Sequence, residues 1–256
     1  MRAIIGLILF GLISTATHAE GFRKMEGFSS SRGPLDLSVY GPLLVYYAPT
    51  LPDFYVSGAG ISKWKDRSGN ANDATQATTS LRPNLVLGTL HNFPAAEFDG
   101  SDDGLQAGTA ISVTQLSVFV VFRTHTVPPA QAPLITTYSG GIAGFTVLVN
   151  QNSNIGAQVH NAGGGPGIGA PGTYNTMVWS LAEGHFGPTT YFAALNGAEG
   201  STDTNTFDAS AVAPKLAFGD GVFDGDIALV AVFDGQLDAT GRANVRSAIN
   251  NYFHLY

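Results

Sequence analysis

The sequence contains no cysteine. That excludes a disulfide framework, a thiolate nucleophile and a cysteine metal site. It does not fix the compartment, because a large β domain can be exported without disulfides. Charge is scarce as well: Asp, Glu, Lys and Arg make up 12% of the chain, against about 25% in ordinary domains. Basic charge is the scarcer sign, with 12 Lys and Arg against 19 Asp and Glu and a net charge of −7. No basic stripe is present, which argues against a nucleic-acid partner. Long apolar runs are also missing. The eleven residues from Ala3 to Ile13 are too few to span a hydrocarbon core of about 30 Å.

What is plentiful is glycine, 32 of 256 residues, together with aromatics at 11%. A chain with this aromatic content and modest net charge folds rather than staying disordered. Many glycines among aromatic and β-branched residues point to short strands joined by tight turns. Ahead of these, MRAIIGLILFGLISTATHAEG has the form of a secretory signal: Arg2, an apolar stretch, then small residues to Ala19. The expectation is export with cleavage after Ala19. The alternative is a retained segment that packs as a helix in an assembly. Residues 20–39 mix charge with Ser, Gly and Pro without sustained period, and read as a leader or linker. The folded domain is expected over residues 40–256.

Strand-like runs follow at Leu43–Tyr47, Pro94–Asp99, Leu116–Arg123, Pro133–Tyr138, Phe145–Asn150, Ile155–His160, Thr176–Leu181, Thr189–Asn196, Lys215–Gly219 and Asp226–Phe233. Leu116–Arg123 is apolar at odd and even positions alike, so both of its faces should be covered. The last run, DIALVAVF, is continuously apolar after its first residue and should be a central strand. Asn196-Gly197 and Asp224-Gly225 are hairpin dipeptides. One helix is expected, from Ala239 to Tyr252 with Asp238 as N-cap. Its Leu237, Val245, Ala248, Ile249 and Tyr252 fall near a 3.6 period. This pattern predicts an all-β fold, a two-sheet antiparallel β-sandwich with a C-terminal α-helix. The glycine-rich stretch Asn161–Gly172 reads as a loop. It lacks the Lys and Ser/Thr of a phosphate-binding loop.

Polarity concentrates in WKDRSGNANDATQ, Trp64 to Gln76. Asp66, Ser68, Asn70, Asn72 and Asp73 are residue types that hydrogen-bond their own backbone in turns. The stretch therefore reads as a shaped loop anchored by Trp64. Together with Arg82-Pro83, with PAAEFDGSDDGL (Pro94–Leu105), and with the terminal FDGDIALVAVFDGQLDATGRANVRSAINNYFHLY, it forms an ordered set. This set resembles the concanavalin A-like lectin/glucanase superfamily, in particular the laminin G-like jelly rolls of bacteria and phages. The resemblance covers about Leu43 to Tyr256 and implies a jelly-roll sandwich. There are departures: Leu229 stands where an acidic residue is expected, Ala71 replaces a common glycine, and the helix opens Asp238-Ala239-Thr240-Gly241-Arg242. One fold of this kind hosts many activities.

Glucanases of this superfamily carry an E-x-D-x-x-E strand, whose alternate carboxylates act as nucleophile and acid. None of the five glutamates here (Glu20, Glu26, Glu97, Glu183, Glu199) has a partner at that spacing. There is no G-x-S-x-G elbow and no H-x-x-x-H pair, so no catalytic residue is assigned. No cofactor is expected. Asp99, Asp102 and Asp103, and separately Asp220, Asp224 and Asp226, could hold calcium. Because each set sits beside a glycine, turn chemistry is the stronger reading, and no metal ligand is assigned. A sugar needs aromatic platforms with hydrogen-bonding neighbours. Tyr138, His160, Asn161, Tyr174 and Asn175 around the glycine-rich loop are the ligand-binding candidates. The leading expectation is a secreted or surface-displayed module for carbohydrate binding or adhesion to another surface polymer. The alternatives are a structural or host-contact component of a phage virion, with homo-oligomer or particle contacts, and a hydrolase with an unrecognised carboxylate pair.

Overall fold

The computed structural model describes residues 34–138, 144–160, 167–204, 215–216 and 223–256. The signal-like segment, most of the linker, Asn161 and Asp220 lie outside them. The described strands, in chain order, are β1 (Leu43–Tyr47), β2 (Phe54–Ser57), β3 (Gly60–Trp64), β4 (Ala74–Thr75), β5 (Asn84–Leu90), β6 (Phe93–Asp99), β7 (Leu105–Ala107) and β8 (Leu116–Thr124). They continue with β9 (Ala132–Thr136), β10 (Gly144–Val149), β11 (Ile155–His160), β12 (Gly167–Gly169), β13 (Ser180–Phe186), β14 (Tyr191–Leu195), β15 (Ala198–Glu199), β16 (Lys215–Leu216) and β17 (Asp224–Asp234). Helix α1 (Ala239–Phe253) closes the set.

These strands form two antiparallel sheets. The first runs β15-β14-β13-β8-β17-β6-β5, with β1 also paired to β17. The second runs β12-β11-β10-β9-β16-β7-β4-β3-β2. The pleat divides the central strands of the first sheet between two apolar layers. On β8, Val118, Val120 and Phe122 enter the core between the sheets, where Phe145, Val147, Ala157 and Val159 of the second sheet meet them. Phe119 and Val121 point the other way, into a second core under α1 with Val245, Ile249, Tyr252 and Phe253. Both faces of β8 are thus covered, as its sequence predicts. The same holds for β17, whose far edge is shared: β6 pairs with Asp224–Ile227 and β1 with Val230–Phe233.

Helix α1 starts where expected, because the Asp238 carboxylate accepts the Gly241 N–H at 2.7 Å. It stops at His254, which takes the left-handed conformation at φ 53°. Packing begins upstream of Tyr40: Leu37 is fully buried and the Leu35 carbonyl accepts the Tyr46 hydroxyl at 2.6 Å. The end of the expected linker therefore belongs to the folded body.

Four sequence expectations fail. Asp224-Gly225 is not a hairpin turn but the start of β17, paired with Asp99 and Phe98 of β6. Thr176–Leu181 is not a strand: Met177 sits at φ 62° in a turn, and its N–H donates to the Thr124 carbonyl at 2.7 Å. Met177 and Val178 are exposed, and the strand starts only at Ser180. The β2–β3 hairpin and β5 have no counterpart among the expected strands. The stretch read wholly as a glycine-rich loop contains β12, which pairs with β11.

Candidate functional site

The opening polar stretch is a scaffold rather than a site. The Asp66 carboxylate, 6% exposed, accepts the N–H groups of Tyr46 at 2.9 Å, Ser68 at 2.9 Å and Asn72 at 3.0 Å, and the Ser68 hydroxyl at 2.6 Å. The Asp73 carboxylate in turn accepts the Asp66 N–H at 2.9 Å. Trp64 is fully buried against Phe54 and donates to the Ala48 carbonyl at 2.9 Å. Arg67 pairs with Asp53. Turn chemistry absorbs the polar side chains.

Of the five ligand-binding candidates, the structure brings two together. Tyr138 and His160 stack with ring centroids 4.1 Å apart and planes at 22°. They lie at the same end of the β10–β11 hairpin, since Gly144 pairs with His160 and Tyr138 follows β9. Beneath them runs a chain of hydroxyls on the outer face of the second sheet. The Tyr138 N–H donates to Thr136 Oγ1 at 3.0 Å, Thr136 and Thr146 share a bond at 2.6 Å, and His160 Nε2 meets Thr146 Oγ1 at 2.9 Å. Thr136 donates onward to the Phe145 carbonyl at 3.2 Å. With Thr136 donating there, Thr146 donates to Thr136 and accepts from His160. The ring is then the Nε2–H tautomer, with Nδ1 as its acceptor. Burial holds the His160 imidazole below its ordinary range, so the neutral form dominates at neutral pH. Tyr138 is 40% exposed. The result is an uncharged aromatic surface with a phenolic hydroxyl and an imidazole acceptor at its edge.

The other candidates do not join this patch. Asn161 lies outside the described residues. Tyr174 is a core residue at 4% exposure, packed edge-on against Phe122, and burial pushes its hydroxyl up to about 12. Its backbone N–H donates to the Ser153 carbonyl at 2.8 Å and its hydroxyl to that of Asn150 at 3.3 Å. Those are at the opposite end of the β10–β11 hairpin, roughly 17 Å from His160 at strand rise. Asn175 is exposed beside Tyr174, so the pair cannot share a ligand surface with Tyr138. Thr136 and Thr146 went unread in the sequence, because only their antiparallel pairing places them under the aromatic stack.

A second polar group gathers on the outer face of the first sheet. Asp226 pairs across the sheet with Glu97 on β6 and with Arg123 on β8, which sets all three side chains on one face. His125 and Asp224 extend the group by one row. Arg123 bonds the Asp226 carboxylate and lies over the Trp179 ring, 5.3 Å from its centroid. His125 Nδ1 is 3.1 Å from Asp224 Oδ1, and its Nε2 is 3.3 Å from Asp226 Oδ2. Asp224 Oδ2 accepts the Thr126 hydroxyl at 2.9 Å. Asp226 has no exposed surface, and its Oδ1 has no hydrogen-bond partner among the described residues. The sequence grouped Asp224 and Asp226 with Asp220 as a possible calcium set, and Asp220 lies outside the described residues. Glu97, Arg123 and His125 reach them through the sheet order.

The first aspartate set, Asp99, Asp102 and Asp103, closes a turn. The Asp99 N–H donates to Asp103 at 3.2 Å and the Ser101 N–H to Asp99 at 2.8 Å, with Gly100 at φ 75°. Burial, followed by the charges of Asp99, Asp102 and Glu97, raises the Asp103 carboxyl to about 6. A further buried network ties α1 to the sheet. Arg246 Nε reaches both oxygens of the fully buried Glu183 at 2.8 Å, and Glu183 Oε2 lies 3.0 Å from His185 Nε2.

No protein-family model matches the chain, and no curated protein matches it. Solved structures do. Domain 4 of AbnA, a GH43 extracellular arabinanase from Geobacillus stearothermophilus in complex with arabinotriose, superposes with a TM-score of 0.62 at 15% identity, covering 80% of this chain and 98% of that domain. The binding domain of Paraclostridial Mosquitocidal Protein 1 has a TM-score of 0.62 at 11% identity, over 85% of this chain but 53% of that one. Trypanosoma rangeli sialidase has a TM-score of 0.56 at 11% identity, and the chain spans 32% of its length. At these identities the likeness is one of fold: an antiparallel β-sandwich of the kind found in carbohydrate-binding domains, in toxin binding domains and within glycosidases.

Proposed function

We propose that the chain is a non-catalytic recognition module that binds glycans, with the Tyr138–His160 stack as its contact surface. The observation that carries this reading is the stack itself: a half-exposed, uncharged aromatic pair, backed by a threonine chain that fixes the imidazole with one acceptor nitrogen. A sugar ring offers apolar C–H faces to such a platform and hydroxyls to its edge. The arabinotriose-bound domain supports the reading, since this chain covers nearly all of that domain. The laminin G-like resemblance of the sequence is in keeping with it, and the extracellular setting of that arabinanase suits a secreted or surface-displayed module.

The hydrolase alternative requires two accessible carboxylates. Glu97 and Asp226 approach within 4.8 Å, but Asp226 is fully buried and bound to Arg123. Burial and the Arg123 bond count against this pair as nucleophile and acid.

The test is an array of glycans, arabinan fragments included, probed with the purified protein and with Tyr138→Ala. Saturable binding to one sugar class is expected, with affinity at least about tenfold lower in the variant, equivalent to about 1.4 kcal/mol. A folded protein that binds no glycan, or a variant that binds as well as the parent, refutes the assignment.

A further inference from the structure

The acidic group on the outer face of the first sheet plays no part in glycan binding at the Tyr138–His160 stack, and its chemistry does not depend on that stack. We propose that Glu97, His125 and Asp226 form a site for a divalent cation of the zinc class, with Asp224 orienting the histidine. One ligand atom from each of the three lies within 4.8 Å of the other two. Two of them face each other: His125 Nε2 and Asp226 Oδ2 are 3.3 Å apart. Two ligands of a tetrahedral zinc at about 2.0–2.1 Å are separated by roughly 3.4 Å, so the gap matches a shared metal.

The second ring nitrogen supplies the independent argument. Asp224 Oδ1 sits 3.1 Å from His125 Nδ1, and Thr126 pins the other oxygen of Asp224. A carboxylate fixed in this way accepts the Nδ1–H and turns the Nε2 lone pair outward. This is the arrangement that orients metal-binding histidines. That lone pair then faces a carboxylate oxygen. Arg123 bonds the same Asp226 oxygen, and the two acceptors at 3.3 Å still repel unless a proton or a metal cation lies between them. Asp226 adds an unspent acceptor, since Oδ1 is buried with no partner among the described residues. Buried polar atoms in native structures are nearly always satisfied.

Charge and donor type narrow the occupant. Glu97, Asp224 and Asp226 share the face with Arg123, which neutralises one of them, and Asp99 pairs with Asp224 across the sheet. The surplus is negative. One imidazole with carboxylates suits zinc and its transition-metal neighbours. Calcium and magnesium prefer oxygen alone. Glu97 is only partly buried, so the fourth position opens toward solvent on its side.

The rival occupant is a proton, which would make His125 an imidazolium bridging two carboxylates. Untagged full-length protein, stripped with a chelator, separates the two. Titration with Zn²⁺ alone by calorimetry is expected to show one ion per chain, and Co²⁺ is expected to give visible bands of a low-coordinate site. His125→Ala abolishes both signals. Glu97→Gln, at a partly exposed position that threatens the fold least, weakens binding, and Asp224→Asn weakens it by about 10–100-fold. Asp102→Asn with Asp103→Asn leaves it unchanged. Absence of saturable Zn²⁺ binding overturns the site, as does binding that survives both His125→Ala and Glu97→Gln or is lost in the Asp102/Asp103 double variant.

Discussion

Replacing Asp66 by alanine tests how much of the fold hangs on one carboxylate. The side chain accepts three backbone N–H groups and one hydroxyl from three different residues. Two of those donors, on Tyr46 and Asn72, belong to buried residues. A buried donor left without an acceptor costs about 1–3 kcal/mol. Two such donors, with a smaller share from the less buried Ser68, give a loss of about 3–5 kcal/mol. For a domain of this size each kcal/mol lowers Tm by about 2–4 °C, so a fall of roughly 8–15 °C is expected. Asp66→Asn keeps one carbonyl oxygen and turns an NH₂ toward the remaining donors, and should lose about half as much. Urea unfolding followed by far-ultraviolet circular dichroism measures both. A loss under about 1 kcal/mol for the alanine variant, with the slope of the unfolding transition unchanged, would show that water replaces the carboxylate and that the loop does not depend on it.

Other consequences are smaller or more local. Ala71 holds φ 55°, where a Cβ is strained, so Ala71→Gly should raise stability by about 0.5–1 kcal/mol in the same unfolding assay. The Asp103 carboxyl is raised to about 6 from 3.8. A folded value above the unfolded one favours the fold at low pH, and that contribution is lost as pH rises from about 4 through 6. Asp103→Asn should therefore stabilise the protein by about 1–2 kcal/mol at pH 7 and by nothing below about pH 4, read from unfolding curves at the two pH values. Arg246→Ala strands the fully buried Glu183 carboxylate beside His185 and should cost about 3–5 kcal/mol. Arg246→Ala with Glu183→Gln should recover part of it.

The sequence made visible whatever depends on one strand or one helix alone. β1, β8, β11 and β17 were readable because their apolar runs are continuous or strictly alternating. The helix was readable from Asp238 and the spacing of Val245, Ile249 and Tyr252. The β2–β3 hairpin was not, because it sits at a sheet edge with Tyr55 and Val56 exposed and shows no alternation. Thr176–Leu181 misled because Met177, Trp179 and Leu181 alternate in sequence while a left-handed Met177 breaks the strand. For the sites, Tyr138 and His160 could be named as aromatics near a loop. Their contact could not, since it depends on strand register. The same is true of Glu97, His125 and Asp226, which are far apart in the chain and become neighbours only because β17 lies between β6 and β8.

That position of β17 also governs the order in which the protein can be made. The strand that β1, β6 and β8 all pair with is the last of the described strands to leave the ribosome. Until residue 234 has emerged, β1 is held only by the loop around Asp66, β6 and β8 are not joined to each other, and the surface that α1 covers stays open. The nascent chain thus carries unpaired strand edges on β1, β6 and β8 until β17 is made. A chaperone that shields them, or slow translation after residue 234, should govern the yield of folded protein more than any residue in the two candidate sites.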